Sequence, residues 1–264
     1  MPTQQLLLRL EVERDCVWDR RYHRKVRGRF DQALRGTRYD YLHDSDRAAF
    51  TFSDLMPFAP ELDAGDDIYL VVASPWVGVL RAISSDLADD PQLTAGSMLF
   101  DVRAAKPIKQ DVGVPGTSGV ITTGSGVCIK VNDREETDVC ETREYWTDRH
   151  HDVATFQDAL HKSICGLFEH CTNGEPPERY LFDDYDHRKT YAVPIDVTAK
   201  QSLTVLTSKW DFGYTVRDET HRKRLNTLLA HGVGGRRPYG FGMLQPRDAT
   251  QAATSAGEEV ATHV

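Results

Sequence analysis

Two stretches of this 264-residue chain are rich in groups suited to gripping a polyanion. The first, RRYHRKVRGRFDQALRGTR at 20–38, carries eight arginines or lysines against one aspartate, in a protein whose net charge is −8. A cationic run inside an acidic protein is the electrostatic footprint of a localised anion site; a merely solvated helix face mixes both signs. The second, HGVGGRRPYGFGML at 231–244, holds five glycines (Gly232, Gly234, Gly235, Gly240, Gly242) and the cations Arg236 and Arg237. Glycine loses more backbone freedom on folding than any other residue, so five together imply tight turns or a close backbone approach. There is no GK[ST], so the stretch is not a Walker loop, and it leads into a strand rather than opening a helix, so it is not a dinucleotide fingerprint.

Other reactive side chains form weaker patterns. The five cysteines (Cys16, Cys128, Cys140, Cys165, Cys171) are odd in number and scattered without a CxxC pair. That usage fits reduced thiols in a cytoplasmic protein. His161 and Cys165 share one helix face, with His170 and Cys171 near and His150-His151 upstream, but no acidic or paired ligand completes a set. No metal and no cofactor are expected. No apolar run approaches the ~18 residues that span a bilayer, and MPTQQLLLRLEVERD becomes charged too quickly for a signal peptide. The expected partner list excludes membranes.

The elements that must position these groups are readable from periodicity. QLLLRLEVE reads as a strand. Tyr22, Val26, Phe30 and Ala33/Leu34 recur at helical spacing, with Gly36 as the stop. FTFSDL and DIYLVVA read as strands. Ser74-Pro75 is expected to cap a helix that places Trp76, Leu80, Ile83 and Leu87 on one face, and SMLFDVRAAKPI returns as a strand. That order is the β-α-β-β-α-β ferredoxin-like unit. DVGVPGTSG at 111–119 is linker-like. Beyond it, GVCIKV and REYWT read as strands, and Asp152 caps a helix with Val153, Phe156, Leu160, Ile164 and Leu167 facing a core. RKTYAVPIDV and QSLTVLTSKWDFGYTV supply more strand, and Asp218 caps ETHRKRLNTLLAH. YGFGMLQP is expected to close as a final strand, its alternate glycines clearing one sheet face. The expected fold is α+β: tandem ferredoxin-like (RRM-like) βαββαβ domains at 1–112 and 120–246, joined by a linker at 113–119 and followed by a disordered tail at 247–264.

RPYGFGML partly echoes the core signature of RNA-recognition motifs, but Pro238 and Gly242 break it. GVGGRRPYGFGM, Gly232 to Met243, instead closely resembles the glycine-rich loop GxGxxxxxGFGM of the CRISPR RNA-processing endoribonucleases of the repeat-associated mysterious protein (RAMP) superfamily. YHRKVRGRFDQAL followed by YLHDSDRAAFTFSDL looks like that family's first helix and the histidine turn leading to its second strand. The resemblance implies cleavage of CRISPR precursor RNA within repeats, without metal. The 2′-hydroxyl beside the scissile phosphate attacks, leaving a 2′,3′-cyclic phosphate and a 5′-hydroxyl. The family histidine falls at His43. Imidazole titrates near neutrality and can move either proton of such a reaction, while cations stabilise the phosphate oxygens. Some members add a helix tyrosine and a lysine; here the tyrosine position falls at about Asp31, and Arg47 stands in place of the lysine. Arg47 can stabilise charge but cannot shuttle protons. RNA contacts are expected from His23, Arg24, Arg27 and the glycine-rich loop with Arg236 and Arg237.

A second reading keeps the RNA groove without chemistry, as a structural subunit of a multisubunit CRISPR interference complex; such a complex is also a candidate partner of the nuclease. A small-molecule enzyme on a ferredoxin-like scaffold would need a closed apolar pocket and leaves the cationic run unexplained. Aspartate outnumbers glutamate about two to one and arginine outnumbers lysine more than two to one, a surface suited to high salt. At ~1 M salt the Debye length is ~3 Å, and phosphate contacts lose most of their worth. Recognition must then rest on shape and stacking. Selective binding of repeat RNA should therefore persist in ~1 M KCl, as checked by filter binding against a scrambled RNA; joint loss of affinity and selectivity would contradict it.

Overall fold

The structure is a computed structural model and describes residues 2–42, 49–131, 145–172, 174–196 and 202–247. Strict alternation in the first strand, β1 (Thr3–Val12), buries Leu6, Leu8, Leu10 and Val12 on one face. After a short strand β2 (Cys16–Val17) comes helix α1 (His23–Leu34), whose Val26, Phe30, Ala33 and Leu34 cover that face. Strands β3 (Thr51–Phe52), β4 (Glu61–Leu62) and β5 (Asp67–Ala73) follow, then helix α2 (Val77–Asp89) and strands β6 (Gln92–Ala95) and β7 (Met98–Gln110). The sheet order is β3-β5-β1-β7-β6, while β2 pairs only with β4. The first and third strands of the unit, β1 and β5, lie centrally, as the ferredoxin-like topology requires.

The arrangement recurs with β8 (Ser118–Thr123), α3 (Val153–Leu167), β9 (Asp184–Asp196), β10 (Ser202–Thr215), α4 (Glu219–His231) and β11 (Leu244–Arg247), in the order β11-β8-β10-β9. Its core is aromatic: Phe156 of α3 stacks on Trp210 of β10 at 3.9 Å, and Phe182 stacks on Phe212 at 4.5 Å. Both expected aspartate caps are present. Asp152 accepts from the Thr155 N–H and Asp218 from the His221 N–H, satisfying donors that a helix start leaves open. The α+β tandem expected from the pattern is the fold of the chain.

Several local expectations differ. Ser74 does not cap α2; Trp76 occupies that position, and the Ser74 hydroxyl turns to the Ala49 carbonyl while accepting from the Trp76 N–H. Residues 126–131 and 145–147 contribute only isolated bridges among the described residues, Val127 with Ser208 and Lys130 with Tyr145; 143 and 144 lie outside the described residues. Val153 is exposed, although the rest of its helical stripe is buried. The linker is shorter than 113–119, since Ser118 and Gly119 already pair with Thr215 and Tyr214. Arg247 belongs to β11, opposite Val120, rather than to the tail; 248–264 lie outside the described residues. No helix among the described residues is long and apolar enough to cross a membrane.

The two units meet through their sheets and the end of the chain. Met243 is fully buried against Val71, Ala73, Leu7 and Ile108, on the face of the first sheet that its own helices leave uncovered. Beside it, buried Gln5 donates from Nε2 to the carbonyls of Leu229 and Leu244, both at 3.0 Å.

Candidate functional site

The glycine-rich segment is a closed loop rather than the start of a strand. Gly240 and Gly242, expected in a strand, instead have φ of +80° and +70°, and β11 begins only at Leu244. The reason is steric. A Cβ on Gly242 would lie 1.7 Å from the Val233 carbonyl oxygen, and one on Gly240 would strike the Phe52 ring at 2.2 Å. Backbone bonds fasten the loop: Val233 N–H to the Gly242 carbonyl at 2.9 Å, Gly242 N–H to Gly126 at 2.9 Å, and Gly235 N–H to Cys128 at 2.8 Å. Gly232 ends α4 with φ +69° and ψ −179°, a region open essentially to glycine alone. Thr51 of β3 donates its hydroxyl to the Phe241 carbonyl at 3.0 Å, so the loop is tied to both units.

Helix α1 holds the loop from the other side. His23 is only 2% exposed; its ring stacks on Tyr22 at 4.2 Å and on Phe241 at 5.0 Å. Nδ1 lies 2.8 Å from the Tyr239 carbonyl oxygen, which can only accept, so Nδ1 carries the proton. Burial pushes the His23 pKa down, against the opposing pull of Asp54 and the Tyr239 bond. The phosphate contact expected of His23 therefore does not match its position; this imidazole fastens the helix to the loop. One turn on, Arg27 lies over the Tyr239 ring at 4.5 Å and pairs with Asp31 at 3.2 Å. Asp31 thus occupies the expected tyrosine position as the partner of Arg27. Arg29 pairs with Asp86 and Asp90. Of the eight cations, Arg21, Arg24 and Lys25, beside the ion-paired Arg29, line an open groove of about 540 Å³ whose walls also carry Gln32, Gln92, Thr94 and the carboxylates Asp90 and Asp196. Among the described residues, no carboxylate pairs with these three cations.

His43 and Arg47 lie outside the described residues, as does Cys140. Their flanks are buried: Leu42 is 3% exposed and Ala49 6%, and Thr51 follows closely with its bond to the loop. Sequence reasoning missed a polar knot beside the loop. Asp54 pairs with Lys209 at 2.7 Å and accepts from Tyr191 at 3.1 Å and Tyr22 at 3.4 Å. Burial and the nearby Asp54 charge raise both phenol pKa values, so the tyrosines stay protonated donors. No local pattern links positions 54 and 209; a register shift between Lys209 and Trp210 separates the lysine from its buried neighbour. His161 Nε2 lies 3.6 Å from Cys165 Sγ, whose thiol pKa burial pushes up. Among the described residues, no group of three or more His, Cys, Asp or Glu is placed to hold a metal.

No family model matches the sequence. The CRISPR-associated endoribonuclease Cas6 of Haloferax mediterranei is 34% identical over 261 residues, covering 95% of this chain and 96% of that protein. The chain belongs to the Cas6 family. Solved structures with the same fold include a Cas6-related protein of Pyrococcus furiosus, with a TM-score of 0.69 at 16% identity over 94% of this chain and 100% of that one. A RAMP protein that binds different RNA substrates gives 0.68 at 19% identity, over 93% and 100%. The glycine-rich and histidine-turn motifs that suggested the family therefore lie within a Cas6-type chain matched along almost its full length.

Two outcomes follow for the histidines that frame this loop. His23→Phe keeps the ring stack and removes the donor to Tyr239, so it should cost roughly 1–3 kcal/mol in urea unfolding. A phosphate-binding role would instead leave stability unchanged and lower the salt slope of RNA binding by about one. His231 is 9% exposed, and burial, aided by Arg237, lowers its pKa from 6.5 to about 4. The unfolded chain thus binds the extra proton between those values. The stabilisation is complete above pH 6.5 and is lost as the pH falls to about 4, to the extent of ~3 kcal/mol. A His231→Leu variant should flatten that segment of the stability–pH curve.

Proposed function

We propose that this Cas6 protein cleaves CRISPR precursor RNA within its repeats, using the 2′-hydroxyl next to the scissile phosphate as nucleophile. The new bond runs from the 2′-oxygen to phosphorus, and the bond from phosphorus to the 5′-oxygen breaks. The products are a 2′,3′-cyclic phosphate and a 5′-hydroxyl. His43 acts as the general acid that protonates the leaving 5′-oxygen, and Arg47 offsets charge on the non-bridging oxygens. No general base is assigned; His23, with its ring buried and its Nδ1 proton committed to Tyr239, is not available for that task.

The observation that carries the reading is the attachment of the glycine-rich loop to β3 through Thr51 and Phe241, shortly downstream of His43 in the sequence. It brings the neighbourhoods of the two family motifs together, although they are separated by most of the chain. Repeat RNA is expected to run over this junction. Arg24, Arg27, Arg236 and Arg237 contact phosphates or stack on bases, and the loop glycines (Gly232, Gly234, Gly235, Gly240, Gly242) let the strand approach the backbone. Arginine suits this role because it both stacks and binds phosphate in a bidentate way.

The direct test is cleavage of repeat RNA in EDTA beside a substrate carrying a 2′-deoxy sugar at the cut site. The first should be cut, the second left intact, and His43→Ala should slow cleavage by roughly 10²–10⁴-fold. Cleavage of the deoxy substrate, or wild-type rates from the alanine variant, would overturn the assignment.

A further inference from the structure

The glycine-rich loop has a second side, away from α1 and β3. There it roofs a cavity of about 650 Å³ in the second unit, within the usual size of a small-ligand pocket. One wall is a stripe of α3: Thr155, Asp158, Ala159, Lys162 and Ser163, at the spacing that puts residues on one helix face. The facing wall is the irregular stretch from Cys128 to Val131, and Gly235 and Arg236 complete the rim.

Three observations point to a ligand. First, Gly235 has no structural need to be glycine. Its φ is ordinary, and a Cβ there would meet nothing closer than the Cys128 oxygen at 3.5 Å, whereas Gly232, Gly234, Gly240 and Gly242 all have positive φ and backbone or ring atoms in the way. The missing side chain keeps the cavity mouth open. Second, Arg236 is the only non-glycine residue with positive φ among the described residues, at +56°. Such conformations are costly for a side-chain-bearing residue and mark functional sites. Its guanidinium reaches the Tyr145 hydroxyl at 3.3 Å and, among the described residues, meets no carboxylate. Third, Lys162 points from the same stripe and pairs with no acid among the described residues, while Asp158, the one carboxylate of the wall, is engaged by the Tyr180 phenol.

We propose that this cavity takes one unpaired nucleotide of the bound RNA, its phosphate on Arg236 and Lys162 and its base against Ile129, Val131 and Ala159. Cations beside an apolar wall match a nucleotide's charged and flat halves, and contact with aliphatic side chains, which is not directional, tolerates any base. The site rests on the reading of the protein as a repeat-RNA nuclease. It adds an anchor on the second unit, outside the junction that carries the chemistry.

The test measures binding of repeat RNA, with an abasic lesion walked along the strand, to the wild-type protein, to Ala159→Trp, which fills the cavity, and to the surface variant Lys162→Glu. One lesion should raise the wild-type Kd about tenfold, the size of a lost apolar contact of roughly 1.4 kcal/mol. The same lesion should be silent in Ala159→Trp, whose Kd for intact RNA is already raised by a similar factor. Lys162→Glu should weaken binding while keeping the wild-type melting temperature, which guards against misfolding of the tryptophan variant. Intact RNA bound equally by all three proteins would overturn the site, as would saturable binding of free AMP in the cavity with RNA affinity unchanged. Wild-type protein that binds but never cuts would overturn the nuclease mechanism and leave the anchor standing. Absence of RNA binding would sink both.

Discussion

The closed glycine-rich loop is the constraint on which the rest of the molecule depends. Its backbone must return from Gly242 to Val233 with almost no space between the strands: a single methyl at 242 would sit 1.7 Å from the Val233 carbonyl. With side chains excluded, the loop's own N–H and C=O groups become the fastening points. They reach Gly126 and Cys128 in one unit and Thr51 in the other. Buried backbone groups need partners, and here those partners come from parts of the sequence far from the loop. Satisfying them fixes where the two units meet.

Charge is arranged around this junction with little waste. The protein is acidic overall, yet its cationic helix α1 lies against the loop, and part of that charge is already neutralised. Arg29 is held by Asp86 and Asp90, and Arg27 by Asp31 and the Tyr239 ring, which fixes where both guanidinium groups sit. Arg21, Arg24 and Lys25 pair with no carboxylate among the described residues. A helix held rigid by some of its cations and left attractive by the others positions charge before RNA arrives, which lowers the ordering cost of binding.

Much of the architecture was legible because it is local. The alternation in β1, the stripe from Val26 to Leu34, and the caps Asp152 and Asp218 each depend on neighbours a few residues away. What could not be read depends on distant partners. His23 looked like part of a basic surface because the carbonyl it serves, Tyr239, lies more than two hundred positions on. Gly240 and Gly242 looked like strand residues because the pattern YGFGML alternates; the Phe52 ring and the Val233 carbonyl that leave no room for a Cβ are not in the pattern. The isolated bridges at 127 and 130 show the converse, β-prone residues without a continuous partner strand among the described residues. The family motifs were the exception: a short string was enough to indicate the family, which similarity along almost the whole chain bears out.

The joint also explains why a polar knot sits where an apolar seam would be simpler. Met243 packs between the sheets, and its flexible side chain tolerates sliding. Apolar contact alone would leave the relative placement of the units loosely defined. The Asp54–Lys209 pair, with two phenol donors and the Gly124 carbonyl accepting from Lys209 at 3.3 Å, has partners on both sides of the joint and needs one alignment to satisfy them together. Such a pair adds little net stability, because desolvation offsets its attraction. Its contribution is directional, since a shift that frees either charge leaves it poorly solvated and unpaired. The groups that this alignment holds come from positions as far apart as Tyr22 and Lys209, so it fixes the two units to each other rather than one segment to its neighbour.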